Sequence, residues 1–231
     1  MSKAFSSLAP WSGLNISAVQ IHPVNHGSLL ARATITLAKS FVIHNFEIRK
    51  DYKTNAIKIY VPCVYTAGDK RNPIVEGTDS DFAVLRSYIL DAFLRFRKDE
   101  VNISEYDYKS EEEYDCSISD FYSPGTKHDS KLLAFVSISV NGLRINRLTI
   151  LQGKNSQYVA MPVTDPRGYS NDKKIRNIAY PIVNDFRLEI QETILMEFFA
   201  EINPEKDSVK DWSLTNENAT RIKKELEAKI V

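Results

Sequence analysis

Two stretches alternate apolar and small polar residues with period two, the signature of a half-buried strand. They are Leu29-Leu30-Ala31-Arg32-Ala33-Thr34-Ile35-Thr36-Leu37 and Leu132-Leu133-Ala134-Phe135-Val136-Ser137-Ile138-Ser139-Val140, about one hundred residues apart. What surrounds them repeats in the same order, so self-similarity is the leading feature of the chain. Ahead of each lies a weaker strand ending in a Pro or Gly turn, NISAVQIHPV from Asn15 and SISDFYSPGT from Ser117. Behind each, FVIHNFEI from Phe41 matches LRINRLTI from Leu143, with Ile43, Phe46 and Ile48 answered by Ile145, Leu148 and Ile150. A fourth strand follows, IKIYVP from Ile57 against QYVAMP from Gln157, and Pro62 or Pro162 closes it because proline cannot donate to a ladder.

After a polar loop the period changes to that of a helix. Phe82, Leu85, Ile89, Phe93 and Phe96 fall on one stripe in the first copy, and Phe186, Ile190, Ile194, Phe198 and Ile202 in the second. Asp81 and Asp185 stand where an N-cap would accept a first-turn amide, and Pro204 stops the second helix. Each copy therefore reads β-β-β-β-α, and the predicted fold class is α+β, two repeats each with a small antiparallel sheet of about four strands followed by a helix.

The boundaries follow from composition. Residues 1–13 form an N-terminal tail, 14–98 the first repeat and 115–203 the second. Between them 99–114 is an acidic run with Lys109 its one base, which predicts a solvated linker. In the tail, 204–231, Ile222, Leu226 and Ile230 recur every fourth residue and predict a short docking helix.

Charge narrows the function classes. Thirty basic and thirty acidic side chains cancel, so attraction of a polyanion across the whole surface is excluded and any such binding is local. The N-terminus lacks the pattern of a secretory signal and no window is apolar enough to span a membrane, so a cytoplasmic protein is expected. Cys63 and Cys116 are expected to be reduced thiols. His22 and His26 read as turn residues around Pro23 and Gly27, His44 as a satisfied strand histidine, and His128 as a loop residue. Neither a nucleophile elbow nor a phosphate loop nor a dinucleotide fingerprint occurs, and the adjacent carboxylates Glu111, Glu112 and Glu113 have no frame to hold them, so no enzyme is expected.

The stretch from Tyr158 to Phe199 resembles the core of SpoVG proteins. That family carries a strand ending in V-A-M-P, a basic loop containing glycine, an I-A-H-P-I element and a helix. Here Val159-Ala160-Met161-Pro162 matches the first motif, and Ile178-Ala179-Tyr180-Pro181-Ile182 matches the third with tyrosine in place of histidine. In the first copy YVPC, from Tyr60, replaces V-A-M-P, and no I-A-H-P-I sequence follows Lys70-Arg71. The resemblance implies a bacterial or phage regulatory protein that binds DNA or RNA, uses no cofactor, metal or small-molecule substrate, and self-associates. A tandem copy of a dimer-forming domain further implies an intramolecular pseudo-dimer.

The residues suited to that role are Arg167, Lys173, Lys174 and Arg176 in the loop of the second copy, with Tyr169 among them and Tyr158 before them to stack on unpaired bases. Lys70 and Arg71 hold the equivalent loop of the first copy. Phosphate contacts of this kind position a ligand and read little sequence. The cluster Arg95, Arg97 and Lys98 is explained by the negative end of the helix dipole, and Arg49, Lys50 and Lys53 as solvated loop cations. The competing class is a non-catalytic protein-interaction module that uses a sheet edge or the tail helix.

Overall fold

The first alternating stretch becomes the centre of a sheet. In the computed structural model, which describes residues 13–65, 71–98, 105–107, 115–122, 131–164 and 176–202, β1 (Ile16–His26), β2 (Leu29–Leu37) and β3 (Phe41–Lys50) form an antiparallel meander extended by β4 (Ile57–Tyr60). A two-stranded stem follows, β5 (Cys63–Tyr65) against β6 (Arg71–Pro73), then the short β7 (Val75–Glu76) and α1 (Asp79–Lys98). After β8 (Glu105–Asp107) the second half repeats the order: β9 (Cys116–Tyr122), β10 (Leu132–Val140), β11 (Leu143–Gln152), β12 (Gln157–Ala160), β13 (Ala179–Pro181) and α2 (Asn184–Ile202). The α+β class and the two sheet-then-helix repeats are therefore present.

Each sheet has one wholly apolar face. Ala31, Ala33, Ile35, Ile43, Phe46 and Ile48 are fully buried in the first, and Ala134, Leu148, Ile145 and Ile150 in the second. The helices bury Leu85, Ile89 and Phe93, or Phe186, Ile190 and Ile194. The same backbone irregularity recurs in both: Asn45 in β3 and Arg147 in β11 have φ of 68° and 70°, beside a register shift against the neighbouring strand. Such a bulge bends the strand and sharpens its twist, so the two sheets share their curvature.

The halves are joined by exchange. β13, from the second half, pairs with β3 through Ala179↔Ile43, Tyr180↔Val42 and Pro181↔Phe41. β7, from the first half, pairs with β11 through Val75↔Ile145 and Glu76↔Arg144. The flanking bonds repeat as well. The amides of Ile74 and Ile178 donate to the carbonyls of Pro62 and Pro162, and the carbonyls of the same two isoleucines accept from Asn146 and His44. Each sheet thus takes an edge strand from the opposite half. Ile74–Glu76 fills in the first half the place that Ile178–Tyr180 fills in the second, although its sequence does not match the family's motif.

Three expectations are corrected. Asp81 is not the N-cap of α1: the Thr78 carbonyl accepts the first helical bond from Phe82, the Thr78 hydroxyl accepts from the Asp81 amide at 3.2 Å, and the Asp81 carboxylate accepts from the Thr78 amide at 2.9 Å. This is a capping box with its cap three residues earlier. Asp185 likewise lies inside the first turn, since Arg187 bonds back to the Val183 carbonyl. With these starts aligned, Leu85, Ile89 and Phe93 answer Ile190, Ile194 and Phe198, and Phe186 faces the position of Asp81 rather than that of Phe82.

The second correction concerns β1, which runs through Pro23 to His26 instead of turning there. β8 covers only Ala18 to Gln20, so the proline nitrogen lies along a stretch of edge that needs no donor. The third is within the acidic 99–114 run, where Glu105–Asp107 is not a solvated linker but the strand that pairs with β1. The predicted tail helix, Pro204 and His128 lie outside the described residues. Met1–Ile194, which holds both sheets, separates as one unit, and the chain from Leu195 on as a second.

Candidate nucleic-acid interface

The residues that flank both expected basic loops pair in the same kind of stem. In the second half Val163 bridges Asn177, the Thr164 amide donates to the Arg176 carbonyl at 2.8 Å, and the Arg176 amide donates to the Thr164 hydroxyl at 3.1 Å. In the first half Cys63 pairs with Pro73, Val64 with Asn72 and Tyr65 with Arg71. Two backbone strands are thereby clamped just beyond Pro62 or Pro162. Arg176 and Arg71 stand exposed at the ends of these stems. Lys70, Arg167, Tyr169, Lys173 and Lys174 lie outside the described residues.

Arg71 is held by its neighbours. Its Nε donates to Cys63 Sγ at 3.2 Å, and its guanidinium lies 5.5 Å from the ring centroid of Tyr60. Three other cations named from the sequence are engaged locally: Arg95 pairs with Asp91 one turn back at 2.8 Å, Arg49 pairs with Glu47 at 2.8 Å, and Arg97 lies 5.9 Å from the Phe93 ring. Arg49 and Lys50 lie within β3, paired with β4, rather than in the loop after it. Cys63 and Cys116 are both free, and burial, with Glu189 and Asp115 nearby, pushes the Cys116 thiol up to about 12, which leaves it protonated and unreactive. Among the described residues no group of three or more His, Cys, Asp or Glu could hold a metal ion, and no helix is long and apolar enough to cross a membrane.

The seam of the exchange carries a polar cluster that sequence reasoning missed. Thr34 Oγ1, buried in the centre of the first sheet, lies 3.1 Å from His22 Nε2 and 2.9 Å from His44 Nδ1. His44 Nε2 lies 3.1 Å from the Tyr180 hydroxyl, and the two rings stack at 5.5 Å. Thr34 has one proton to give, so a consistent arrangement has His44 Nδ1 donating to Thr34, Thr34 donating to His22, and Tyr180 donating to a neutral His44 Nε2. The matching place in the second sheet joins Ser137, Asn146, Arg144 and Asp120 instead. Tyr180 occupies the histidine position of the family motif, and the aromatic seam is the reason both rings fit: each covers the other.

Burial, and then the nearby His22, hold His44 below its ordinary value of 6.5. A histidine that is harder to protonate in the folded state stabilises it fully above the unfolded value and loses that contribution as pH falls through the window beneath it. Urea midpoints are therefore expected to drop between about pH 7 and about pH 5, before most carboxylates titrate, and to drop less in His44→Gln. A wild-type midpoint constant over that range would contradict this.

With the geometry in hand, the kinship of the chain is clear. The SpoVG family model matches residues 117–200. The SpoVG protein of Staphylococcus epidermidis is 31% identical over 86 residues, 36% of this chain and 80% of that relative. That of Staphylococcus aureus is 30% identical over 86 residues, covering 36% and 82%, and SpoVG 2 of Listeria monocytogenes is 35% identical over 71 residues, covering 30% and 66%. These relatives are named for septation, and the class they define is that of bacterial regulatory or accessory proteins. Identity of 30% or more over at least 80% of the two staphylococcal proteins decides the family. This chain belongs to the SpoVG family, and the matched residues fall in its second half.

Proposed function

We propose that the chain is a nucleic-acid-binding regulatory or accessory protein that grips DNA or RNA phosphates through its two basic loops. The observation that carries this reading is the duplicated stem beyond Pro62 and Pro162, which ends at Arg71 in the first half and at Arg176 in the second, while the sequence sets Lys70 beside the one and Arg167, Lys173 and Lys174 shortly before the other. With no net charge over the whole protein, such local clusters are where a polyanion would be attracted. The reciprocal pairing of β7 and β13 supports the companion inference that the two halves form an intramolecular pseudo-dimer, so that one chain offers two loops.

Binding through phosphates weakens steeply with salt, because each neutralised phosphate releases counterions. Titration of labelled single- and double-stranded DNA and RNA at two salt concentrations is expected to show that dependence. The triple variant Lys173→Ala, Lys174→Ala, Arg176→Ala is expected to reduce the log-log salt slope by about 2 to 3 and to weaken binding across sequences alike. Absence of saturable binding at low salt would remove the proposal. Unchanged binding by the triple variant would move it away from this loop.

A further inference from the structure

The second sheet turns one face inward and the other to solvent, and the outer face carries exposed aromatic rings. Strand register fixes who shares that face: Tyr122 pairs with Phe135, Phe135 with Thr149, and Thr149 with Ala160, two residues along β12 from Tyr158. Directly opposed residues in an antiparallel ladder lie on the same side of the sheet, as do residues two apart. Their neighbours Ala134, Val136, Ile150 and Val159 are buried on the other side. Tyr122 is 62% exposed and Tyr158 48%, with Phe135 half-buried between them.

The first half supplies an internal comparison. At the matching positions the pairing runs His22, Arg32, Glu47, Tyr60, and Lys58 stands where β12 has Tyr158. The same sheet therefore forms with charged side chains at three of these places. The Tyr158 ring lies against Gly153 along one side, yet it and Tyr122 still offer about half or more of their surface to solvent. Beyond β12 the chain passes through Met161 and Pro162 into the Val163–Asn177 stem. Exposed Lys131 and Lys154 stand at the end of the sheet where Tyr158 lies, since the Gln152 amide donates to the Lys131 carbonyl.

We propose that this face is a stacking platform for the unpaired bases of single-stranded nucleic acid, with Tyr122, Phe135 and Tyr158 receiving bases. This rests on the reading of the loop given above. A sheet that offers rings to bases is a general solution for single strands, because every base has a flat face and an extended strand can splay its bases across the sheet. A duplex, its bases already stacked, has nothing to place there.

The test uses the full chain with three fluorescein-labelled probes of one length: oligo(dT), an abasic oligonucleotide with the same phosphates, and a duplex. Tyr122→Ala and Tyr158→Ala change exposed side chains and leave the inner face intact. Each is expected to weaken oligo(dT) binding about 5-fold or more without changing the salt slope or the affinity for the abasic probe. Wild-type protein is expected to favour oligo(dT) over the abasic probe by a larger factor. Equal affinity for the two probes, or unaltered oligo(dT) binding by both variants, would overturn the platform while leaving the loop proposal standing. A solution mass that falls by half in the tyrosine variants would overturn it too, by assigning the face to a second copy of the chain. Loss of binding to all three probes in the wild type would reject both readings.

Discussion

Phe186→Ala is expected to destabilise the protein by about 3 to 5 kcal/mol, the usual cost of removing a buried aromatic ring. Phe186 is completely buried at the start of α2, and its ring meets Phe41 edge-on, with centroids 6.2 Å apart. Phe41 begins β3, in the first half of the sequence, where it also pairs with Pro181. The contact thus joins second-half helix to first-half sheet. Urea unfolding followed by far-UV and by near-UV circular dichroism is expected to show a single transition moved to lower urea in both signals. Two separate transitions in the wild type, only one of them shifted in the variant, would show that the halves unfold independently.

The second large effect is expected on dividing the chain between Tyr114 and Asp115. Alone, the first part lacks β13 and Phe186, which leaves the edge of β3 unpaired and Phe41 uncovered. Alone, the second part lacks β7 at the edge of β11 and the carbonyl of Ile74 that binds the Asn146 amide. Open edges and exposed apolar faces promote aggregation, so each part expressed by itself is expected to be largely insoluble. Co-expressed, the two are expected to copurify as a one-to-one complex. Two soluble, folded and non-interacting parts would refute this.

The sequence made the regular elements legible because their signal is local. Period two marked β2 and β10, matching apolar positions aligned β3 with β11, and period 3.6 found both helices. The exchange was not legible for the same reason. β7 and β13 have two and three residues, too few for any period, and their partners lie in the other half of the chain. Asp81 was misplaced because a carboxylate in a first helical turn looks the same whether it is the cap or the third residue of a capping box, and only the bonds to Thr78 separate the two.

The candidate site was legible in part. The runs Lys70-Arg71 and Arg167 to Arg176 declare their charge in the sequence, whereas the stems that tether them depend on bonds between Thr164 and Arg176 that no pattern announces. Tyr158 could be named from its place before the loop. Tyr122 and Phe135 are not singled out by the sequence reading, although a signal existed: they occupy the polar phase of the alternation, the phase that carries His22 and Arg32 in the first copy. His22 and His44 meet only because Thr34 lies between them on a neighbouring strand.

Lending of β7 and β13 between the halves also changes how assembly depends on dose. When separate molecules complete each other's sheets, dilution dismantles them, and the fraction assembled follows protein concentration. Here the peptide bond keeps lender and borrower within reach of one another, at an effective local concentration set by chain length rather than by abundance. A cell holding only a few copies would still hold them complete.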